Sequence, residues 1–302
     1  MKLSPRLGAF SGACLAWLLA SVGAAQEKDT SPKFDSTSSE AVLLRHKLKN
    51  GQVLKFDMDM DMDIAVRMGA EQLTMTQAMR MEGKMAVTGV DDEGNMSAVA
   101  KITRMTMKMT GPAAVEFDTD KASEDPNFKP LMAMINVGIP CKMSPLGKML
   151  ETDLEPMRLA MRRAGNAALS KVLEDSTKKM FDGTFVQFPE KAIKAGETYK
   201  AGTIVEDKMK IQMSYRVKSV SGDKSQAVLE PVPVLEMADG AFPGMDAKLQ
   251  KQQIAGWLLF DIQKGYVVNG ELRMQMDLDI SAMGQKGTAA LTGKTVVTQT
   301  LK

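Results

Sequence analysis

A seven-residue stretch in which aspartate and methionine alternate constrains the fold of this chain more than any other feature. Residues 57–63 read Asp-Met-Asp-Met-Asp-Met-Asp, and the side chains of an extended strand point alternately to opposite faces. A strand here places three methionines on one face and four aspartates on the other. Related alternation recurs at 105–109, 209–213 and 274–278. The pattern predicts a β-rich chain with methionine on much of its apolar face.

Strand periodicity and one helical segment together predict the fold class. Glu155–Phe181 carries an apolar stripe at helical spacing, with Pro156 in its first turn, where the missing N–H costs little. We therefore predict an α+β fold: two curved antiparallel β-meander sheets, half-barrel-like and duplicated, with one long helix packed between or against them. Strands are expected at 53–67, 72–90, 96–109, 184–188, 197–206, 207–220, 225–236, 250–262, 266–282 and 287–301.

The first 25 residues have the pattern of a cleaved signal peptide. Lys2 and Arg6 precede an apolar run that is too short for a comfortable membrane span, and small residues lead up to Gln26. We expect export to the periplasm or the cell exterior, with no membrane-spanning segment after cleavage. The predicted organisation is a signal peptide at 1–25, a flexible tether at 26–40, a first β-rich repeat at 41–152, a connecting helix at 153–183 and a second β-rich repeat at 184–302.

Charge and cysteine content exclude some partners and some modes of stabilisation. Removal of residues 1–25 leaves 37 basic and 37 acidic residues, so no excess of positive charge attracts nucleic acid. Cys141 is the single cysteine that remains, which excludes an internal disulfide. We expect Cys141 to be a small buried apolar residue.

Two pairs of segments suggest an internal repeat. Residues 47–55 resemble 192–200, and residues 84–94 resemble 212–222. With the Ser144–Gly147 turn and the segment Phe188-Pro-Glu-Lys-Ala-Ile-Lys-Ala-Gly-Glu-Thr-Tyr199, these motifs give the chain from about 41 to 302 a family resemblance. It resembles the duplicated, secreted proteins of unknown function from planctomycete-type bacteria. That resemblance implies a fold similar to the half-barrel of lipoprotein carriers, in which a curved antiparallel sheet wraps around helices, and it implies no catalytic residues.

The sequence offers no arrangement of residues that is typical of catalysis. His46 is the only histidine, and neither a nucleophile elbow nor a phosphate-binding loop is present. The aspartate row fails as a calcium loop, because Met62 and Met68 occupy the sixth and twelfth positions. We therefore expect no enzyme activity, no cofactor and no carboxylate metal site, and we expect His46, between two cations, at the surface.

The methionines allow three interpretations. They can line a concave sheet that holds a lipid or another apolar small molecule, since flexible thioethers suit an adaptable apolar surface. They can bind Cu(I), for which thioether sulfur is a soft ligand. They can also simply fill the core of a structural envelope protein. The predicted pocket-lining residues are Met58, Met60, Met62, Met79, Met81, Met105, Met107, Met209, Met213, Met274 and Met276.

Overall fold

A computed structural model describes most of the chain beyond the predicted signal peptide. It describes residues 29–112, 114–121, 125, 128–165, 177, 185–206, 209–237, 246–282 and 284–302, with only the backbone at 204–206, 209, 237 and 282. The strands are β1 Val53–Met68, β2 Glu71–Val90, β3 Met96–Met109, β4 Val115–Asp118, β5 Ile139–Met143, β6 Met149–Thr152, β7 Thr198–Glu206, β8 Met209–Val220, β9 Gln226–Pro231, β10 Val234–Met237, β11 Asp246–Asp261, β12 Tyr266–Ala282 and β13 Gln285–Leu301. The helices whose bounds lie within the described residues are α1 Lys129–Met134 and α2 Glu155–Arg163.

All thirteen described strands belong to one antiparallel sheet. Its order is β10-β8-β9-β11-β12-β13-β1-β2-β3-β5-β6, with β4 paired to β3 and β7 paired to β8. The prediction of two duplicated sheets is therefore wrong. Strand β13 pairs with β1 along almost its whole length, from Leu54 opposite Leu301 to Met68 opposite Gly287. This pairing satisfies the backbone groups of an edge that β1 would otherwise expose, and it merges the two halves of the chain.

The lengths of the central strands agree closely with the sequence periodicity. Strands β3 and β12 have the predicted bounds, and β1 and β2 differ from them by one residue at one end. The inward-facing parity of β3 changes between Ile102 and Met105, and a register shift lies there: Glu82 and Gly83 of β2 face Arg104 and Ile102 of β3, as in a β-bulge.

The predicted long helix is wrong, because helix α2 ends at Arg163. Asp153 Oδ1 accepts a hydrogen bond of 2.9 Å from the backbone N–H of Glu155 at the start of this helix. Beyond the last turn, Gly165 has a φ of 76°, a left-handed conformation that glycine tolerates and that ends a helix. Thr177 is helical, and the rest of 166–184 lies outside the described residues. The described fold is mostly β rather than α+β.

One face of the sheet is buried and the other is exposed to solvent, as the alternation predicts. On β1, Met60 and Met62 are buried, whereas Asp59, Asp61 and Asp63 are exposed. We call the side of the sheet that carries these methionines the inner face. On the outer face, the Arg80 guanidinium lies 3.8 Å from a carboxylate oxygen of Asp57 and 3.9 Å from one of Asp59. Such exposed pairs contribute little to stability, but the charges keep this face solvated.

The described part of the predicted tether, residues 29–40, lies against the β8–β9 turn. Thr37 forms an antiparallel bridge with Ser221, and the Ser38 N–H donates a 3.0 Å hydrogen bond to Val220 O. The Lys218 ammonium lies 2.6 Å from Asp29 Oδ2. These contacts hold the segment 29–40 against one end of the sheet.

Candidate functional site

A cavity of about 180 Å³ lies on the inner face, between the central strands and the short elements that cover them. Its wall contains residues of β1, β2, β3, β5, β8, β11, β12 and β13, residues of helices α1 and α2, and Val137, Thr177, Phe185 and Val186. Most of the wall is apolar. Among the described residues, five methionines line it: Met58, Met81, Met85, Met134 and Met157.

The shape of the wall near β1 depends on a glycine. The ring of Phe56 lies over Gly83 of the neighbouring strand, so a Cβ atom at Gly83 would come within 2.1 Å of Phe56 Cζ. Phe56 faces inward, since it lines the cavity, and Gly83 shares that face because it is opposite Phe56 in the β1–β2 register. Gly83 therefore lets the aromatic ring lie flat along the sheet instead of filling the cavity.

A few polar groups interrupt the apolar wall. Thr295 and Gln299 of β13 belong to it, as does Tyr215 of β8. Burial raises the pKa of Tyr215 to about 12, so its hydroxyl is a neutral hydrogen-bond donor near pH 7. The Thr177 hydroxyl donates a hydrogen bond of 3.4 Å to Met157 Sδ. Lys101 also borders the cavity, but its register opposite Lys84 places its side chain on the outer face.

His46 fixes the segment that closes one side of the cavity. Its Nε2 lies 3.0 Å from Val186 O and its Nδ1 lies 3.2 Å from Gly265 O. A neutral imidazole has one N–H, so only one of these contacts is a donated hydrogen bond. Val186 lines the cavity, and His46 thus ties that wall to the β11–β12 turn.

The expectation that His46 lies at the surface is wrong, since its side chain is only 5% exposed. Three aromatic rings surround the imidazole, with centroid distances of 5.9 Å to Phe185, 4.9 Å to Phe188 and 6.0 Å to Phe260. Burial lowers the pKa of His46, because the charged form loses its hydration. The flanking cations, Arg45 and Lys47, alternate with the buried residues of this segment and are more exposed than His46. Their charges therefore indicate nothing about the burial of the histidine between them.

The structure distributes the predicted pocket residues over several environments. Met58 and Met81 line the cavity, and Met105 and Met107 are half-buried on β3. The side chain of Met209 lies outside the described residues. The other six belong to the packed main core: Met60, Met62, Met79, Met213, Met274 and Met276.

Sequence reasoning did not assign three of the cavity methionines to the site. Met85 continues the inward-facing parity of β2, so this strand pattern could have included it. Met134 and Met157 belong to helices α1 and α2, and nothing in a strand periodicity shows which helix covers which part of a sheet. Met157 is fully buried, with 0% exposure.

Other chemistry-bearing groups do not converge at this cavity. In the described part of the chain, no group of three or more His, Cys, Asp or Glu side chains could hold a metal ion. Cys141 is free and buried, as expected, and burial raises the pKa of its thiol to about 11. None of the described helices is both long enough and apolar enough to cross a bilayer.

Comparison with known proteins gives a family match to part of the chain. Residues 93–230, less than half of the chain, match DUF6263, a family of unknown function. The match runs from the β2–β3 turn to β9. No curated protein matches the chain. The resemblance to proteins of unknown function is thus supported in this coarse form.

Solved structures share the β-sheet architecture only distantly. A lipovitellin structure, titled for its lipid–protein interactions, has a TM-score of 0.49 and 10% identity over 84% of this chain, which spans only 26% of that chain. An outer membrane channel from Pseudomonas putida F1 gives 0.23 and 8%, over 89% and 100% of the two chains. An outer membrane lipoprotein-sorting protein domain from Vibrio parahaemolyticus gives 0.14 and 6%, over 82% and 84%. Scores this low carry no argument about function.

Proposed function

We propose that this protein is an exported, non-catalytic binding protein whose cavity holds a small apolar molecule or one apolar group of a larger molecule. The observation that carries the proposal is the methionine-rich, mostly apolar cavity between the sheet and its covering elements. Protein interiors are close-packed, and voids larger than a water molecule are few. A ligand that fills this cavity would account for a void of this size.

The size of the cavity limits the ligand. A volume of about 180 Å³ is below the roughly 300–1,000 Å³ of pockets that enclose drug-sized ligands. It slightly exceeds the ~150 Å³ of an engineered apolar cavity that binds benzene. We therefore expect an aromatic ring or a short alkyl segment, such as the end of an acyl chain, instead of an entire lipid.

The polar groups of the wall suggest how the ligand is oriented. The Tyr215 hydroxyl can donate a hydrogen bond, and Thr295 and Gln299 can donate or accept one. Ligand sites commonly combine an apolar surface with a few such groups, which fix orientation. The preferred ligand thus has an apolar body and one polar substituent.

Native mass spectrometry of the protein purified from the envelope of its own cells tests this function. We expect a bound small molecule that is released on denaturation. Val297→Phe adds a ring on the cavity side of β13 and should weaken binding by about tenfold or more, which corresponds to about 1.4 kcal/mol. Toluene, added to protein freed of any bound molecule, serves as the defined probe.

Val296→Phe is the matched control, because Val296 faces outward opposite Asp59. It should bind toluene like the wild type, and both variants should unfold cooperatively. A wild-type protein that carries no small molecule and binds no toluene would contradict the proposal and favour a structural envelope component. Retention of the chain in the cytoplasm, with its first 25 residues uncleaved, would contradict the proposed export.

A further inference from the structure

The sheet register aligns methionines into rows that run across three adjacent strands. Met58 of β1 is opposite Met81 of β2, which is opposite Met105 of β3; we call these three residues the cavity row. Directly opposite side chains share a face, with Cβ atoms about 4.5–5.5 Å apart. Three long, flexible thioethers therefore lie side by side on the inner face.

A second row has the same composition and a different setting. Met60, Met79 and Met107 are opposite one another on the same three strands; we call them the core row. The next inward positions are Met62, Gln77 and Met109. Gln77 is 6% exposed and its Nε2 has no hydrogen-bond partner among the described residues. Eight of these nine neighbouring positions thus hold methionine.

Packing alone does not account for this choice of residue. β-branched and aromatic side chains suit strands better than methionine, and the inner face uses them elsewhere, as at Ile211, Val217 and Phe260. What eight of the nine positions of this cluster on three paired strands have in common is the thioether sulfur. Thioether sulfur is a soft ligand, and among first-row metals it selects Cu(I).

We propose that the cavity row, Met58, Met81 and Met105, is a thioether binding site for a soft monovalent cation such as Cu(I). Met58 and Met81 line the cavity, so an ion can reach their sulfurs. Met105 is half-buried at the adjoining position and completes a three-sulfur set. The site does not require the apolar ligand proposed above, although Met58 and Met81 belong to the wall of the same cavity.

The core row cannot take the ion as easily. Met60 and Met79 are buried in the main core and are not among the residues that line the cavity. Strand β4 also borders this row, because Met107 is opposite Phe117. An ion that entered this core would have to give up its hydration shell, which costs free energy. It would also have no open route to the sulfurs through the cavity. The two rows therefore differ in access while sharing residue type, strands and face.

Titration of the purified protein with Ag(I), a redox-stable soft cation, and with Cu(I) under reducing conditions tests the site. We expect one ion per chain and shifts of the ε-methyl resonances of Met58, Met81 and Met105 in wild-type protein. Met58→Leu/Met81→Leu/Met105→Leu conserves volume. It should reduce affinity by more than the ~10–100-fold that loss of an outer-shell partner typically costs.

The core-row variant Met60→Leu/Met79→Leu/Met107→Leu is the matched control and should keep wild-type affinity. Cys141→Ala should also keep it, because the proposed ligands exclude the thiol. A thioether has no proton to lose, so affinity should be constant from pH 5.5 to 7.5, whereas histidine or thiol ligation weakens as pH falls.

Several results would overturn the site. These are no stoichiometric binding of either cation, equal loss in both row variants, loss in Cys141→Ala, or an affinity that falls with pH. The methyl shifts need no variant, so the test still decides if a triple variant fails to fold.

Discussion

Two methionines on strand β2, only two residues apart, occupy different environments. Met79 and Met81 share a strand and a face, and their side chains are 7% and 3% exposed. Met79 packs in the main core, together with Met213 of β8, whereas Met81 lines the cavity. The main core around Met79 includes Ile211 and Met213 of β8, whereas the cavity wall beside Met81 includes residues of both described helices and of the segment 185–186.

This difference shows that two separate properties determine whether a pocket forms. Strand periodicity decides which side chains face inward, and it treats Met79 and Met81 alike. The elements that cover the sheet decide whether the inward space is filled. Ile211 and Met213 of β8 share the main core with Met79, while a cavity remains where helices α1 and α2 help to cover Met81.

Truncation of the two methionines should give the largest difference. Met79→Ala removes packed atoms from the main core and should lower the free energy of unfolding by about 2–5 kcal/mol. Met81→Ala should cost distinctly less, about 1–2 kcal/mol, because its side chain already borders empty space and makes fewer contacts. Urea unfolding of both variants measures this. Equal losses would show that the two ends are packed alike.

Enlargement of the same two residues should give the same order of losses in the free energy of unfolding, with smaller values. Met79→Trp overpacks the core and should cost about 1–3 kcal/mol, whereas Met81→Trp can extend into the cavity and should cost less than about 1 kcal/mol. Thermal or urea unfolding compares the two variants. A larger penalty at Met81 than at Met79 would exclude a usable cavity beside Met81.

The segment that closes the cavity should respond to pH through His46. The pKa of His46 is lowered in the folded protein, so the unfolded chain binds more protons below the ordinary histidine pKa of about 6.5. Stability should therefore fall as the pH decreases from 7 to 5.5. His46 is the only histidine, and His46→Gln should remove most of this slope in urea unfolding. An unchanged slope in that variant would assign it to other groups.

The charged residues of the outer face should contribute least to the free energy of unfolding. Arg80 contacts Asp57 and Asp59 with about half of its side chain exposed, so Arg80→Ala should lower the free energy of unfolding by about 0.2–1 kcal/mol. The loss should shrink further in 1 M salt, where exposed charges are screened. A loss comparable to that of Met79→Ala would mean that this face is not simply solvated.

The parts of the fold that are local in sequence could be predicted. Alternation identifies β1, β2 and β3 and their inward faces, and the change of parity before Met105 identifies the bulge. Pairing between distant strands could not be predicted, because periodicity carries no information on partners. The β1–β13 pairing, which joins the two halves into one sheet, was therefore missed, and two sheets were predicted.

The site was predictable only in its strand residues. Met58 and Met81 follow from parity, but Met157 reaches the cavity through a helix that ends at Arg163 instead of continuing past Gly165. His46 is flanked by two cations, so its neighbours indicate a surface position. Its burial depends on three aromatic rings from distant segments, which no local pattern shows.

Xenon binding observed through ¹³C-labelled methionine methyl groups tests most directly whether the cavity end is hollow and the core end solid. Xenon enters empty apolar cavities. The resonances of Met58, Met81 and Met85 should shift with xenon pressure, while those of Met60, Met79 and Met276 should not. Shifts confined to the second set, or none at all, would contradict the division of the inner face on which the proposed binding function depends.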